Sequence, residues 1–193
     1  MEQLGTYHLA DNPQLYEIQR PNSFQFLIPN LGTLLRAGAI GYENNAYITN
    51  GDDIIRVSCH ASGVPHFSQS TIEVKRFNST LKYAGTPKFD DLTIKLHDYI
   101  GAETKEALMA WQNLSYNIRT EKVGSLDVTN YKRDCYLQEY TSDTRLVRQW
   151  IIRGAWISSI SEDDYDWYNG DERHGITATI TYDRAEIDQS GLE

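Results

Sequence analysis

Cysteine is scarce in this sequence: Cys59 and Cys135 are the two among 193 residues. Two thiols are too few to staple a scaffold, so the chain is read as folding in a reducing cytoplasm. Long apolar runs are missing too, and none approaches the roughly 20 residues a bilayer-spanning helix needs. The opening stretch, MEQLGTYHLADNP, has neither a basic start nor an apolar centre, so no signal peptide is expected. Positive charge is in deficit, with 18 Lys and Arg against 27 Asp and Glu, a net of −9. Gripping nucleic acid draws its free energy from Lys and Arg displacing counterions, so this balance argues against specific binding of that kind.

Chemical signatures are missing as well. No two glycines stand two apart and no Gly-Lys pair occurs, which excludes the dinucleotide fingerprint and the phosphate loop. No serine sits in a Gly-x-Ser-x-Gly elbow. His8, His60, His66, His97 and His174 show neither helical i,i+4 pairing nor Cys-x-x-Cys partners. The cluster Glu162, Asp163, Asp164, Asp166 is the best metal candidate, but Tyr168, Asn169 and Gly175 stand where a calcium loop needs an oxygen ligand, a glycine and a glutamate. It is read as an acidic turn on a solvated or subunit-facing surface. Arg145, Arg148 and Arg153 flank Trp150 but alternate between strand faces, so they are read as surface or interface charges and not as a nucleic-acid stripe. No catalytic residue, cofactor or metal site is expected, and the chain is read as a structural or binding protein and not an enzyme.

What is present is a period of two. Ile176, Ala178, Ile180 and Tyr182 alternate with Thr177, Thr179 and Thr181, giving one apolar and one hydroxyl face. Leu92, Ile94 and Leu96 alternate with Thr93, Lys95 and His97. Ile55, Val57, Cys59 and Ala61 alternate with Arg56, Ser58 and His60. Shorter strands are expected at 23–28, 71–75, 81–84, 135–140, 147–152 and 156–160, punctuated by turn residues such as Asn78-Ser79 and Gly85-Thr86-Pro87. Such a series of short strands predicts an antiparallel sandwich or barrel. One helix interrupts it, over Ala102 to Ser115, with Ala107, Leu108, Trp111 and Leu114 on one face and Glu103 in its first turn. Residues Leu31 to Asp52 and Arg119 to Lys132 read as long connections.

Four passages then fall in order. They are Arg20-Pro21-Asn22 with the strand from Phe24 to Ile28; Cys59-His60-Ala61-Ser62-Gly63-Val64-Pro65; Tyr83-Ala84-Gly85 through Phe89-Asp90-Asp91-Leu92-Thr93 to the helix ending at Gln112; and Tyr131-Lys132-Arg133 through Leu137 to Tyr140 and Ile152 to Trp156, then Asp166-Trp167 and the strand from Ile176 to Asp183. Together, covering 20–29 and 55–185, they resemble the tail tube protein of contractile-tailed (myovirus-type) bacteriophages. The stretch 31–52 departs from that pattern and looks like an insertion.

The resemblance implies a single tail-tube-like domain over 1–193: an arm at 1–19, the 31–52 loop and a short tail at 186–193. Its fold would be mainly β, an antiparallel sandwich or barrel with one packed helix, the sheets of neighbouring subunits joining into a ring-wide inner β-barrel. It implies partners rather than substrates: copies of itself in stacked, hexameric rings, a tail sheath protein, and baseplate and tail terminator proteins. Genomic DNA would pass through without specific binding, and the protein would belong to the virion, assembled in the host cytoplasm. Tyr42, Asn44, Asn45 and Tyr47, with the N-terminal arm, are expected ring-stacking or sheath contacts. Thr177, Thr179 and Thr181 face either the lumen or outer solvent. Phe24, Phe89, Leu108, Trp111, Trp156 and Trp167 are expected core or interface anchors. Two other readings stay open: a baseplate or terminator ring, or the tube of a related contractile injection system; and a carbohydrate-binding β-sandwich using Trp150, Trp156 and Trp167.

Overall fold

The computed structural model describes residues 18–38, 46–101, 103–124, 127–168 and 173–190. In chain order the elements are β1 (Phe24–Leu27), α1 (Leu31–Gly38), α2 (Ala46–Ser58), β2 (Cys59–Ser62), β3 (Phe67–Arg76), β4 (Ser79–Phe89), β5 (Leu92–His97), α3 (Thr104–Ser115), β6 (Tyr116–Asn117), β7 (Lys122–Val123), a 3-10 turn at Val128–Asn130, β8 (Arg133–Tyr140), β9 (Leu146–Glu162), β10 (Gly175–Thr181) and β11 (Arg184–Ser190). The fold is mainly antiparallel β, with the main sheet ordered β1-β8-β9-β10-β5-β2 and β11 paired to β9.

Strand β9 is the spine. Its first half pairs with β8 on one edge and β11 on the other, and its second half pairs with β10. Two segments expected from the sequence, 147–152 and 156–160, are therefore one strand of 17 residues. Between them stands Gly154 at φ +67, a left-handed conformation that a β-carbon resists. A β-carbon there would also run into the Asp183 carboxylate. Asp183 is fixed in turn, donating its backbone N–H to the Arg153 carbonyl at 3.0 Å and pairing with Lys132 at 2.7 Å.

Within the stretch expected as a loop, residues 31–38 and 46–52 are helical. Leu31, Leu34 and Leu35 are buried at helical spacing in α1, and Ile54, Ile55 and Ser58 are buried in α2. The Asp52 carboxylate caps α1, accepting the N–H groups of Asn30 (2.9 Å), Leu31 (2.6 Å) and Gly32 (3.3 Å). Gly51 lets the two helices touch, because a β-carbon there would lie 2.9 Å from the Gly32 nitrogen. The alternation read over residues 55–61 fails for the same reason. Val57 is 63% exposed, and only from Cys59 onward does the chain extend as β2.

Helix α3 is buried through Ala107, Leu108, Ala110 and Trp111, with the Trp111 indole N–H donating to the Tyr131 carbonyl at 2.8 Å. It starts later than expected: Glu103 occupies the cap position with φ 55, and Glu106 is the acid of the first turn. The helices pack on the sheet face formed by Ile94, Leu96, Ile152, Ile157, Ile176, Ala178 and Ile180. The segment 119–132 holds the β6–β7 pair and the 3-10 turn. Residues 186–190, expected as a tail, extend β11.

Gly154→Ala is expected to destabilise the fold by about 1–3 kcal/mol, from the left-handed backbone and the collision with Asp183. Urea unfolding of the two proteins checks this, and an unchanged midpoint would contradict the account of the bend.

Candidate self-association surfaces

Backbone pairing comes before side chains at these surfaces. Among the described residues, β1 pairs only with β8, β2 only with β5 and β11 only with β9. The two ends of the main sheet, β1 and β2, approach one another without pairing. A cleft of about 450 Å³ separates them, lined by Phe24, His60, Ser62, Val64 and Leu137 with Glu139 and Arg148. The chain alone thus leaves its barrel open, and an edge strand presents unpaired N–H and C=O groups to any strand of matching register.

The hydroxyl face expected from the sequence forms one side of this sheet. Thr177, Thr179 and Thr181 are half-buried. Register sets Thr177 beside Lys95 and Ser161, and Thr179 beside Thr93 and Ser159, all exposed. Thr181 pairs with Trp156, so the positions paired with the three threonines carry hydroxyls, one lysine and one indole, and no carboxylate. The acids of β9 lie elsewhere: Glu162 is turned to α3, where Lys105 holds it at 2.7 Å.

At the β2 edge, the imidazoles of His60 and His97 stack with centroids 4.0 Å apart and planes 11° from parallel. The Nδ1 atoms of both rings are buried without a hydrogen-bond partner. Burial holds His60 below its usual pKa, and the nearby His97, Arg173 and Lys95 push in the same direction. Burial likewise raises the Cys59 thiol on the same strand to about 12, so it stays protonated and unreactive at neutral pH.

The hairpin β3–β4 forms a sheet of its own. It joins segments expected as two shorter strands, carrying β4 through Gly85-Thr86-Pro87 with a register shift between Gln69 and Thr71. All ten residues of β3 are exposed, and on β4 only Gly85 and Phe89 are partly covered. Two separate strands of this length with nothing over either face are marginal in water alone.

Tyr42, Asn44 and Asn45 lie outside the described residues, and so does the arm as far as residue 17. Tyr47 belongs to α2, its side chain also outside them. Gln19, the last residue of the arm, donates its amide to the Tyr140 carbonyl at 2.8 Å. Leu108 and Trp111 are buried. Phe24 and Phe89 are half-buried against the core. Trp156 is half-buried, edge-on to Tyr131. Trp167, expected as a core or interface anchor, is 99% exposed and so is no core residue of the subunit: the turn carrying it lies beyond the end of β9. The aromatic platform of a carbohydrate site does not form either, since Trp150 and Trp156 are half-buried and Trp150 donates to Glu139 at 3.3 Å. The three arginines around Trp150 are bound to carboxylates: Arg145 to Asp143, Arg148 to Glu139 and Arg153 to Glu186. Among the described residues no three His, Cys, Asp or Glu side chains converge as metal ligands, and no helix is long and apolar enough to cross a membrane. The exposed hairpin was missed because its halves were read as separate short strands; Ile72, Val74, Leu81 and Tyr83 carry the two-residue spacing that would have joined them.

This architecture, an open antiparallel sheet backed by three helices with a separate hairpin, is similar to that of solved subunits of contractile injection systems. A subunit of the sheath-tube complex of an extracellular contractile injection system superposes with a TM-score of 0.63, at 14% identity, over 91% of this chain and 94% of that one. The tube-terminating cap of the anti-feeding prophage superposes at 0.61, with 16% identity over 90% and 95%. In sequence the chain is homologous to tail tube protein gp19 of Enterobacteria phage T4, 24% identical over 168 residues that cover 86% of this chain and 90% of the phage protein. No protein-family model matches the chain.

Because the folded protein holds His60 below the pKa of a free imidazole, near 6.5, the unfolded chain takes up the proton first as pH falls. Stability is expected to be full above pH 6.5 and to drop as pH falls below it. Thermal melts at pH 7.5 and 5.5 check this. The acid-dependent loss should shrink in His60→Gln, and an equal loss in that variant would contradict the assignment.

Proposed function

We propose that this chain is the structural subunit of a phage-type contractile tail tube, acting by assembly and not by chemical transformation. The observation that carries the reading is the homology to a tail tube protein over 86% of the chain. The open edges of β1, β2 and β11 and the bare hairpin support it, because copies of the chain supply the strands those edges lack. Closing the gap between β1 and β2 with a neighbour's strands turns six open sheets into a ring-wide barrel, and rings stacked on their faces give a tube.

In this reading the protein is a component of the virion tail, assembled in the host cytoplasm, with sheath, baseplate and terminator proteins as its other partners. The Thr177, Thr179 and Thr181 face lines the lumen. Genomic DNA slides along hydroxyls there, with Lys95 the one cation among the paired positions, and the net charge of −9 on each subunit keeps the polyanion from adhering.

A second reading, a ring that terminates the tube, rests on the cap structure, which matches almost as well as the subunit of the sheath-tube complex. Negative-stain electron microscopy of the purified full chain separates the two. Uniform hollow cylinders are expected of the tube subunit, isolated annuli of a cap, and dispersed monomers at micromolar concentration would contradict both.

A further inference from the structure

The subunit carries two unlike exposed patches at opposite ends of one strand pair. Strands β5 and β10 fix the geometry: Leu92 pairs with Ile180 at one end and His97 with Gly175 at the other, about 17 Å away at the rise of an extended chain. The hairpin is rooted at the first end. There Asp90 donates its N–H to the His66 carbonyl, the Tyr182 hydroxyl donates to the same oxygen, and the Phe89 ring meets Tyr182 at 5.9 Å. Beyond that root its strands run for about 30 Å. The tip turns at Phe77, whose φ is 54 and whose side chain is 98% exposed. Lys75 and Arg76 precede it. Of the other charges near the tip, Lys82 and Glu73 pair with one another at 3.6 Å, leaving the end of the hairpin cationic and aromatic.

The second end gathers two connections. The Asp98 N–H donates to the His174 carbonyl and the Asp163 N–H to the Gly175 carbonyl, holding the chain after β5 beside the turn after β9. Ile100 is fully exposed there, as are Trp167 and Tyr168, and Tyr165 stacks on the His174 ring at 4.7 Å. Asp163, Asp164 and Asp166 lie on the connection that leads to Trp167, and Asp166 accepts the Tyr168 N–H at 2.9 Å. Fully bare tryptophan, tyrosine and isoleucine side chains on one end of a domain mark a contact surface. Tryptophan and tyrosine faces are also the preferred seats of arginine and lysine cations.

We propose that the hairpin tip of one copy, Lys75-Arg76-Phe77, seats on the Ile100, Trp167 and Tyr168 surface of the next copy. The occupant is a second copy because the apolar and charge complement of this end stands on the other end of the same chain. Such a contact joins unlike surfaces, so it cannot close on itself as a two-fold dimer. It propagates head to tail and gives the assembly a polarity. The contact rests on the tube reading and adds to it the residues that join successive layers.

The test uses the full chain with Phe77→Cys and Trp167→Cys, singly and together, oxidised under assembly conditions; circular dichroism checks that each variant folds. The double variant is expected to give a ladder of disulfide-linked multimers on a non-reducing gel, above the background of either single variant. A second arm reverses charge. Lys75→Glu with Arg76→Glu should weaken stacking about tenfold, the scale of losing one or two cation–aromatic contacts, and Asp164→Lys with Asp166→Lys should restore it. Cylinders that form with no ladder and no response to charge reversal would overturn this contact while leaving the tube reading intact. A wild-type chain that stays monomeric by light scattering would overturn both.

Discussion

A strand in the middle of a sheet satisfies its backbone on two sides, and β1, β2 and β11 satisfy theirs on one. Every other feature of the subunit is arranged around that incompleteness. The helices could have covered an edge; instead α1, α2 and α3 all lie on one face, over Ile94, Ile152, Ile157 and Ile176. The opposite face carries threonine and serine. The hairpin adds two more strands without adding any cover for them. Isolated, such a protein exposes a template for strand addition, which soluble monomers usually blunt. In the tube proposed above, the same edges would be its joints.

The incompleteness depends on one long strand holding its shape. β9 carries both halves of the main sheet, and the glycine at 154 allows it to bend while keeping its hydrogen bonds to β8, β11 and β10. Charged groups lock that bend from several elements. Asp134 accepts the Gly154 N–H, Lys132 holds Asp183, and Arg153 holds Glu186, whose carboxyl is kept below its ordinary pKa by that guanidinium. At the far end of β9 the Lys105–Glu162 pair ties the strand to α3. The frame is thus braced along β9 and bare at its edges.

Much of the sheet was legible from period-two patterns. Ile176, Ala178, Ile180 and Leu92, Ile94, Leu96 show it cleanly because one face of each strand is buried and the other wet. The helix around Trp111 was legible from its four-residue spacing. Helices α1 and α2 were not, because glycine and asparagine dominate the segment and its capping group, Asp52, is about 20 residues from the amides it serves. Leu31, Leu34 and Leu35 were the available signal. The unity of β9 was hidden by Gly154, a residue that reads as a break until its partners across the ladder are known. For Trp167 the sequence leaves core and interface equally open, because nothing in its own neighbourhood says that the strand has ended. Self-association was carried by resemblance, because the short stretches of β1, β2 and β11 do not by themselves say whether a strand pairs on one side or on two.

Hydrogen–deuterium exchange on the full chain, below and above its assembly concentration, tests that idea most directly. Completion of open sheets by neighbouring copies predicts that amides of β1, β2 and the β3–β4 hairpin exchange quickly in the dispersed subunit. They should become strongly protected on assembly, while those of β9 and β10 are protected in both states. Edge amides that exchange equally fast in both states would show that the copies meet elsewhere and would contradict the account.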